Sequence, residues 1–130
     1  MKSNVGLWID HRQAVIVSLI DNVEKTSRII SHMEGRVRFS GGAQDASAED
    51  QRDRRFTGHL DKYYDKVVSC IRDADSILIL GPGEAKVELR TRLENEALGG
   101  RITGIETVDK MSDRQLEAKV RLHFLSVQAH

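Results

Sequence analysis

Residues Ser76 to Lys86 read Ser-Ile-Leu-Ile-Leu-Gly-Pro-Gly-Glu-Ala-Lys, and this segment restricts the fold more than any other in the chain. Ile77 to Leu80 is a short, unbroken apolar run. A strand covered by other elements on both faces has this character. Gly81-Pro82-Gly83 ends it abruptly. Proline has no N–H to give a sheet ladder, and glycine accepts backbone angles closed to other residues. Glu84 onward reads as helix, so a strand, a tight turn and a helix start follow in sequence. Such a unit belongs to an α/β protein, and it leaves N–H groups at the helix N-terminus, where an anion is favoured.

At 130 residues, the chain is long enough to bury a core without disulfide or metal staples, and one domain over 1–130 is expected. Hydrophobic residues make up 39% and charged residues 31%, the balance of a globular protein. Lys plus Arg and Asp plus Glu are equal at 20 each. No overall charge draws the chain to nucleic acid, so an RNA contact has to come from a local basic patch, and DNA is not an expected partner. Cys70 is the only cysteine, which excludes an internal disulfide and a cysteine zinc cage and suits a reducing compartment. The sequence shows neither the apolar stretch of a signal peptide nor one of membrane-spanning length, so a cytoplasmic location is expected.

Along the chain, Val5 to Ile9 and Gln13 to Ile20 are β-rich runs joined by Asp10-His11-Arg12, which predicts a hairpin. Glu24 to His32 is a third strand candidate. Arg36 to Ser40 alternates polar with apolar residues as a fourth, after a turn at Met33-Glu34-Gly35. The opening is thus an antiparallel meander. From Gly41 to Asp53 the residues become small and polar, which predicts a flexible surface loop. Helical spacing begins at Phe56 and continues through Leu60, Tyr63, Tyr64, Val67, Val68 and Ile71 to an end near Asp73. A second helix is expected from Glu84 to Leu98, with Ala85, Leu89 and Leu93 on one face and Gly99-Gly100 as its C-terminal cap. Ile102 to Val108 is a further strand. Ser112, with Gln115 three residues on, has capping-box spacing and opens a last helix whose buried stripe is Leu116, Val120, Phe124 and Val127. The pattern specifies a two- or three-layer α/β sandwich over a mixed sheet.

Several residues are candidates for chemistry, and each has a plainer reading. The turn from Gly81 to Lys86 is too short for a Walker A loop and has no Ser or Thr after Lys86. It fails the dinucleotide-binding glycine pattern because position 86 is lysine. Glu84 suits the helix dipole but repels phosphate, so the turn reads first as a structural junction. Asp10-His11-Arg12 offers a carboxylate beside an imidazole, but adjacent side chains in a tight turn diverge and Asp is a common turn residue. The other histidines, His32, His59, His123 and His130, lack metal-ligand spacing, so no metal or other cofactor is expected. Cys70 and Trp8 read as core residues. Tyr63 and Tyr64 read as one ring turned to the core and one to solvent. Arg36 and Arg38 share a strand face, and Arg52, Arg54 and Arg55 follow in the loop. Together they form a candidate RNA-binding strip, although Glu49, Asp50 and Asp53 offset part of its field.

Residues 77–86 resemble the Gly-Pro-Gly strand–helix junction in the C-terminal domain of archaeal and eukaryotic class 1 peptide-chain release factors and Pelota. The wider pattern resembles small bacterial proteins related to that domain, often labelled translational machinery proteins. It comprises Gly6-Leu7-Trp8-Ile9-Asp10-His11-Arg12-Gln13-Ala14-Val15-Ile16-Val17, Thr107-Val108-Asp109-Lys110-Met111-Ser112-Asp113-Arg114-Gln115 and Val120-Arg121-Leu122-His123-Phe124. The resemblance implies an α/β/α sandwich with a mixed central sheet, preceded by the β-meander, and a role near the ribosome. In release factors this domain contacts partner proteins, while peptide release belongs to a separate domain with a Gly-Gly-Gln loop. Gly41-Gly42-Ala43-Gln44 does not reproduce that loop, because Ala43 interrupts it.

The expected function is accordingly a non-enzymatic module that docks on the ribosome or a translation factor. Arg36, Arg38, Arg52, Arg54 and Arg55 are its candidates for RNA contact. Gly81, Pro82, Gly83, Glu84 and Lys86 are its candidates for a protein partner or an RNA phosphate. The alternative is a protein or enzyme acting on a phosphate-bearing small molecule held between the Asp10-His11 turn and the Gly81–Lys86 turn. A homodimer scaffold built on an apolar helix face or sheet edge is a third option.

Overall fold

A computed structural model describes residues 3–21, 23–31 and 60–128. Within these residues five strands form one mixed sheet: β1 (Ser3–Ile9), β2 (Gln13–Ile20), β3 (Val23–Ile30), β4 (Ser76–Gly81) and β5 (Ile102–Thr107). Three helices cover it: α1 (60–71), α2 (Ala85–Asn95) and α3 (Asp113–Gln128). The strand order is β3-β2-β1-β4-β5. β1, β2 and β3 are an antiparallel meander, while β4 lies parallel to β1 and β5 parallel to β4. The meander therefore extends the same sheet that carries the α/β unit. The proposed fourth strand at Arg36–Ser40, the loop at 41–53 and the helix start at Phe56 lie outside the described residues.

Alternation of side chains divides the strands between two cores. Val5, Leu7, Ile9, Ala14, Ile16, Ile77 and Ile79 face α1 and α2, where they meet Val67, Val68, Ile71, Leu89 and Leu93. Trp8, Val15, Val17, Leu78 and Leu80 face α3 and meet Leu116, Val120 and Phe124. This two-sided burial explains why β4 is apolar at every position from Ile77 to Leu80, all of them fully enclosed. The arrangement is the expected α/β/α sandwich. On the α3 side the layers approach closely at Gly6, where an added Cβ would lie 2.4 Å from a methyl of Val120. A register shift beside Ile77 and Leu78 leaves Thr103 unpaired in the β4–β5 ladder. Ile102 and Ile105, three residues apart, thereby both reach the α1–α2 core.

Local chemistry sets the helix ends. The Ser112 hydroxyl accepts from the Gln115 N–H at 3.2 Å, and the Gln115 side chain accepts from the Ser112 N–H at 2.9 Å, completing the predicted capping box. The end of α2 differs from its prediction: it stops at Asn95, and Gly99-Gly100 do not cap it. Ala97 takes the left-handed position with φ 63°. The Leu98 N–H reaches the Leu93 carbonyl at 2.7 Å and the Ala97 N–H reaches that of Glu94 at 3.1 Å, the two bonds of a Schellman motif. Leu98 then packs into the core that holds Leu93. That contact places the reversal at Ala97, two residues before the glycines.

Two further expectations change. Cys70 is exposed, because the buried stripe of α1 runs through Tyr63, Tyr64, Val67, Val68 and Ile71 and Cys70 lies off it. Tyr63 and Tyr64 are both buried, instead of dividing between core and solvent. Trp8 is buried as expected, and its indole N–H donates to the Asp109 carbonyl at 3.2 Å.

Replacing Ala97 with glycine removes the left-handed strain of an L-residue and should raise stability by about 0.5–1 kcal/mol in chemical denaturation. Gly6→Ala should cost about 1–3 kcal/mol by overpacking against a stiff β-branched neighbour. Val120→Ala should restore part of that loss in the double variant, a coupling readable as non-additivity of the two denaturation midpoints.

Candidate functional site at the carboxyl ends of the parallel strands

Parallel pairing of β1 with β4, in the register Trp8 to Leu80, brings the carboxyl ends of both strands to one edge of the sheet. From there the chain leaves β1 toward β2 and leaves β4 toward β5. Open α/β sheets place ligand sites in the crevice at such a divergence. The Asp10-His11-Arg12 turn and the Gly81–Lys86 turn thus meet there, although 70 residues separate Gly81 from His11 in sequence. Gly81 is required by this approach, since a Cβ on it would lie 2.3 Å from the Ile9 carbonyl oxygen. No described glycine takes a positive φ, and a Cβ on Gly83 would meet nothing within 4 Å. The Gly-Pro-Gly turn is therefore set by proximity to β1, not by unusual backbone angles.

The polar groups at this edge are turned on one another. The Asp10 carboxylate accepts the N–H groups of Arg12 and Gln13, each at 2.8 Å, so it shapes the turn and does not orient His11. Ser31 closes the same turn: its hydroxyl donates to the His11 carbonyl at 2.7 Å and its N–H to that of Arg12 at 2.9 Å. The partner of His11 is Glu88, one turn into α2, with Nε2 3.0 Å from Oε1. The same Glu88 oxygen accepts the Tyr64 hydroxyl. Tyr63 donates to the Asp10 carbonyl at 2.8 Å. Lys86 is buried, and its ammonium donates to the Gly83 carbonyl at 2.5 Å. Pro82, Gly83, Glu84 and Arg12 remain exposed. Of the turn residues proposed for contact, Gly81 and Lys86 face inward and the other three face solvent.

Beside this edge an open groove of about 700 Å³ runs between α1 and α2, lined in part by Tyr64, Asp65, Glu88, Arg92 and Glu96. Its charges are paired. Arg92 bonds Asp61 and reaches Asp65 at 2.8 Å, and its guanidinium lies 5.3 Å from the centre of the Tyr64 ring. Arg72 bonds Glu96 at 2.5 Å. Neither His11 nor Asp10 lines the groove. No cluster of His, Cys, Asp and Glu suited to a metal occurs among the described residues. Nor is any described helix long and apolar enough to cross a membrane. Arg36, Arg38, Arg52, Arg54 and Arg55 all lie outside the described residues.

The chain shares the fold of part of two Pelota proteins and of an archaeal translation termination factor. It is similar to Thermoplasma acidophilum Pelota, with 14% identity and a TM-score of 0.57 over 96% of this chain and 32% of that one. It is similar also to Archaeoglobus fulgidus Pelota, with 13% identity and a TM-score of 0.54 over 98% and 37%. An archaeal translation termination factor aligns with 12% identity and a TM-score of 0.59 over 98% and 39%. The chain thus spans less than two fifths of each of these proteins. The sequence matches no protein-family model and no curated protein.

Glu88, Tyr63 and Tyr64 organise the edge, and sequence reasoning assigned none of them that part. Glu88 carries only the signal of an acid in the first turn of a helix. Its meeting with His11 depends on which strand lies beside β4.

Burial raises the pKa of both phenols well above the ordinary value of 10.0. The Asp10 charge adds to the rise at Tyr63, and the hydrogen bond to Glu88 adds to it at Tyr64. Above about pH 10 the unfolded chain releases these protons while the folded chain keeps them. Stability should therefore fall with rising pH, by about 1.4 kcal/mol per pH unit for each tyrosine. Denaturant titrations from pH 9 upward should show the slope of Tyr63→Phe reduced by one tyrosine's share. The same variant should lose about 1 kcal/mol at neutral pH through the bond to Asp10.

Proposed function

We propose that the protein is a non-enzymatic binding module of translation that docks on the ribosome or on a translation factor. The observation that carries this reading is the likeness of nearly the whole chain to part of two Pelota proteins and an archaeal translation termination factor. The state of the strand edge supports it. General acid–base work needs a titratable group facing a substrate. Here the Asp10 carboxylate, His11, Glu88 and Lys86 are engaged with partners inside the chain. What the edge offers is an exposed turn, Pro82-Gly83-Glu84, and exposed Arg12. That is a surface for recognition. RNA contact in this reading falls to Arg36, Arg38, Arg52, Arg54 and Arg55.

Sedimentation of the tagged protein through sucrose gradients tests the proposal. Co-migration with ribosomal particles at low salt and release at high salt are expected. Arg52→Ala, Arg54→Ala and Arg55→Ala together should weaken association and flatten its salt dependence. Migration only at the top of the gradient at both salts would count against ribosome docking, and unaltered binding by the triple variant would remove the strip as the RNA face.

One observation favours a second reading, binding of a phosphate-bearing small molecule: the Asp10-His11 turn and the Gly81–Lys86 turn converge. The acidic neighbours Glu84 and Glu88 oppose an anion there. A rise in Tm with nucleotide concentration, lost in His11→Ala, would favour it.

A further inference from the structure

Arg90 is the one arginine among the described residues that is half-buried without a partner. Arg28, Arg72, Arg92, Arg101 and Arg121 each bond a carboxylate or a carbonyl, and Arg12 and Arg114 lie open to water. The Nε of Arg90 is closed off from solvent and has no hydrogen-bond partner. Glu94, one turn further along α2, is exposed and makes no ion pair with it; its Cγ lies against Gly99. Enclosing part of a guanidinium without an acceptor costs free energy that an apolar side chain of the same length would not. An anionic group brought from outside would offset that cost through the rest of the guanidinium.

The fold places this group beside a sheet edge. On α2, Leu89 and Leu93 enter the core, while Glu88 and Arg92 turn toward α1 and the His11 turn. At 100° per residue, Lys86 and Arg90 fall on the opposite flank. The strand order puts β5, the outer strand, on that flank, with Ile102 and Ile105 packed beneath. The Val108 N–H donates to the Gly81 carbonyl at 3.0 Å, so this residue faces β4. Successive residues of a strand turn their backbone groups to alternate sides. Ile105 and Thr107 therefore direct their N–H and C=O groups away from β4, where no strand among the described residues pairs with them.

We propose that the outer edge of β5 is a docking site for an extended segment of a partner protein, which adds to the sheet as a strand and places an Asp or Glu against Arg90. Main-chain hydrogen bonds to Ile105 and Thr107 hold the backbone of such a segment, and its alternate side chains stand on the α2 face, beside the guanidinium. Nucleic acid fits this flank less well. Phosphate backbones are gripped by several cations, whereas one carboxylate matches one guanidinium. Lys86, the other cation here, is committed to the Gly83 carbonyl, and Glu84 and Glu94 are exposed on the same helix and its approach. The site lies across α2 from Glu88 and does not rest on the ribosome-docking reading.

The test needs no ribosome or translation factor. A phage-displayed library of random heptapeptides is panned on the full chain, and fluorescein-labelled copies of the enriched peptides are measured by anisotropy. Enriched sequences should share one Asp or Glu within an alternating, β-branched pattern. Arg90→Met keeps the length of the side chain and removes its charge. It should weaken the best peptide at least about tenfold while leaving Tm unchanged or higher. Thr107→Pro, which removes one outward N–H at an edge position, should weaken the same peptide several-fold. Bound peptide should also slow amide hydrogen exchange at Ile105 and Thr107. No enrichment, enriched peptides without a common acid, or affinity indifferent to Arg90→Met would overturn the proposal. A clear fall in the Tm of Arg90→Met would do so as well, because the guanidinium would then be bonded within the chain. So would a labelled oligouridine whose binding is lost in Arg90→Met, or a dimer seen by sedimentation equilibrium and dissolved by Thr107→Pro. The occupant would then be nucleic acid or a second copy.

Discussion

The parallel contact between β1 and β4 is the constraint on which the rest of the molecule depends. Their backbones approach so closely at the end of the pair that Gly81 has no room for a side chain against the Ile9 carbonyl. This contact joins the N-terminal meander to the α/β unit in one sheet. It makes β1 and β4 the buried centre, with a core on each face. It also brings two turns from distant parts of the chain to the same edge. A bulky residue at position 81 would separate the strand ends and, with them, His11 from Glu88.

Polar groups gathered at that edge are largely withdrawn from solvent chemistry. Burying a hydroxyl or a charge without a partner is costly, and the tyrosines, Asp10, Glu88 and Lys86 avoid that cost by bonding to one another and to the backbone. The His11–Glu88 pair is about two fifths exposed on each side. It contributes on the order of 0–1 kcal/mol, less than the buried phenols it accompanies. These bonds tie both turns to α1 and α2, while Pro82, Gly83, Glu84 and Arg12 stay exposed.

The opposite layer is held differently. Helix α3 sits on the sheet through three large apolar side chains and is tied to β3 by polar contacts along its flank. Glu117 accepts from Thr26 at 2.6 Å, and Asp113 accepts from Arg28 at 2.9 Å. These exposed bonds set the rotation of the helix more than its stability. With its rotation set, Leu122 and Leu125 of α3 face outward. The two sides of the sheet therefore present unlike surfaces, a polar turn at one edge and exposed leucines on the helix of the other layer.

The element types, their order and most of the core were legible in the sequence, because period-two and helical spacing follow from burial of one face of each element. The apolar run at Ile77–Leu80 announced a strand covered on both sides, and Ser112 with Gln115 announced a helix start. Both are local properties. Tertiary structure alone decided what depends on neighbours. Gly81 answers to Ile9, which no pattern near residue 81 reveals. The α2 cap fell on Ala97, not on Gly99, because Leu98 had to enter the core beside Leu93. Glu88 joined His11 only once β1 lay beside β4. Strand order is set by which apolar faces can be buried together, and that choice is made across the whole chain, so local sequence carries no record of it.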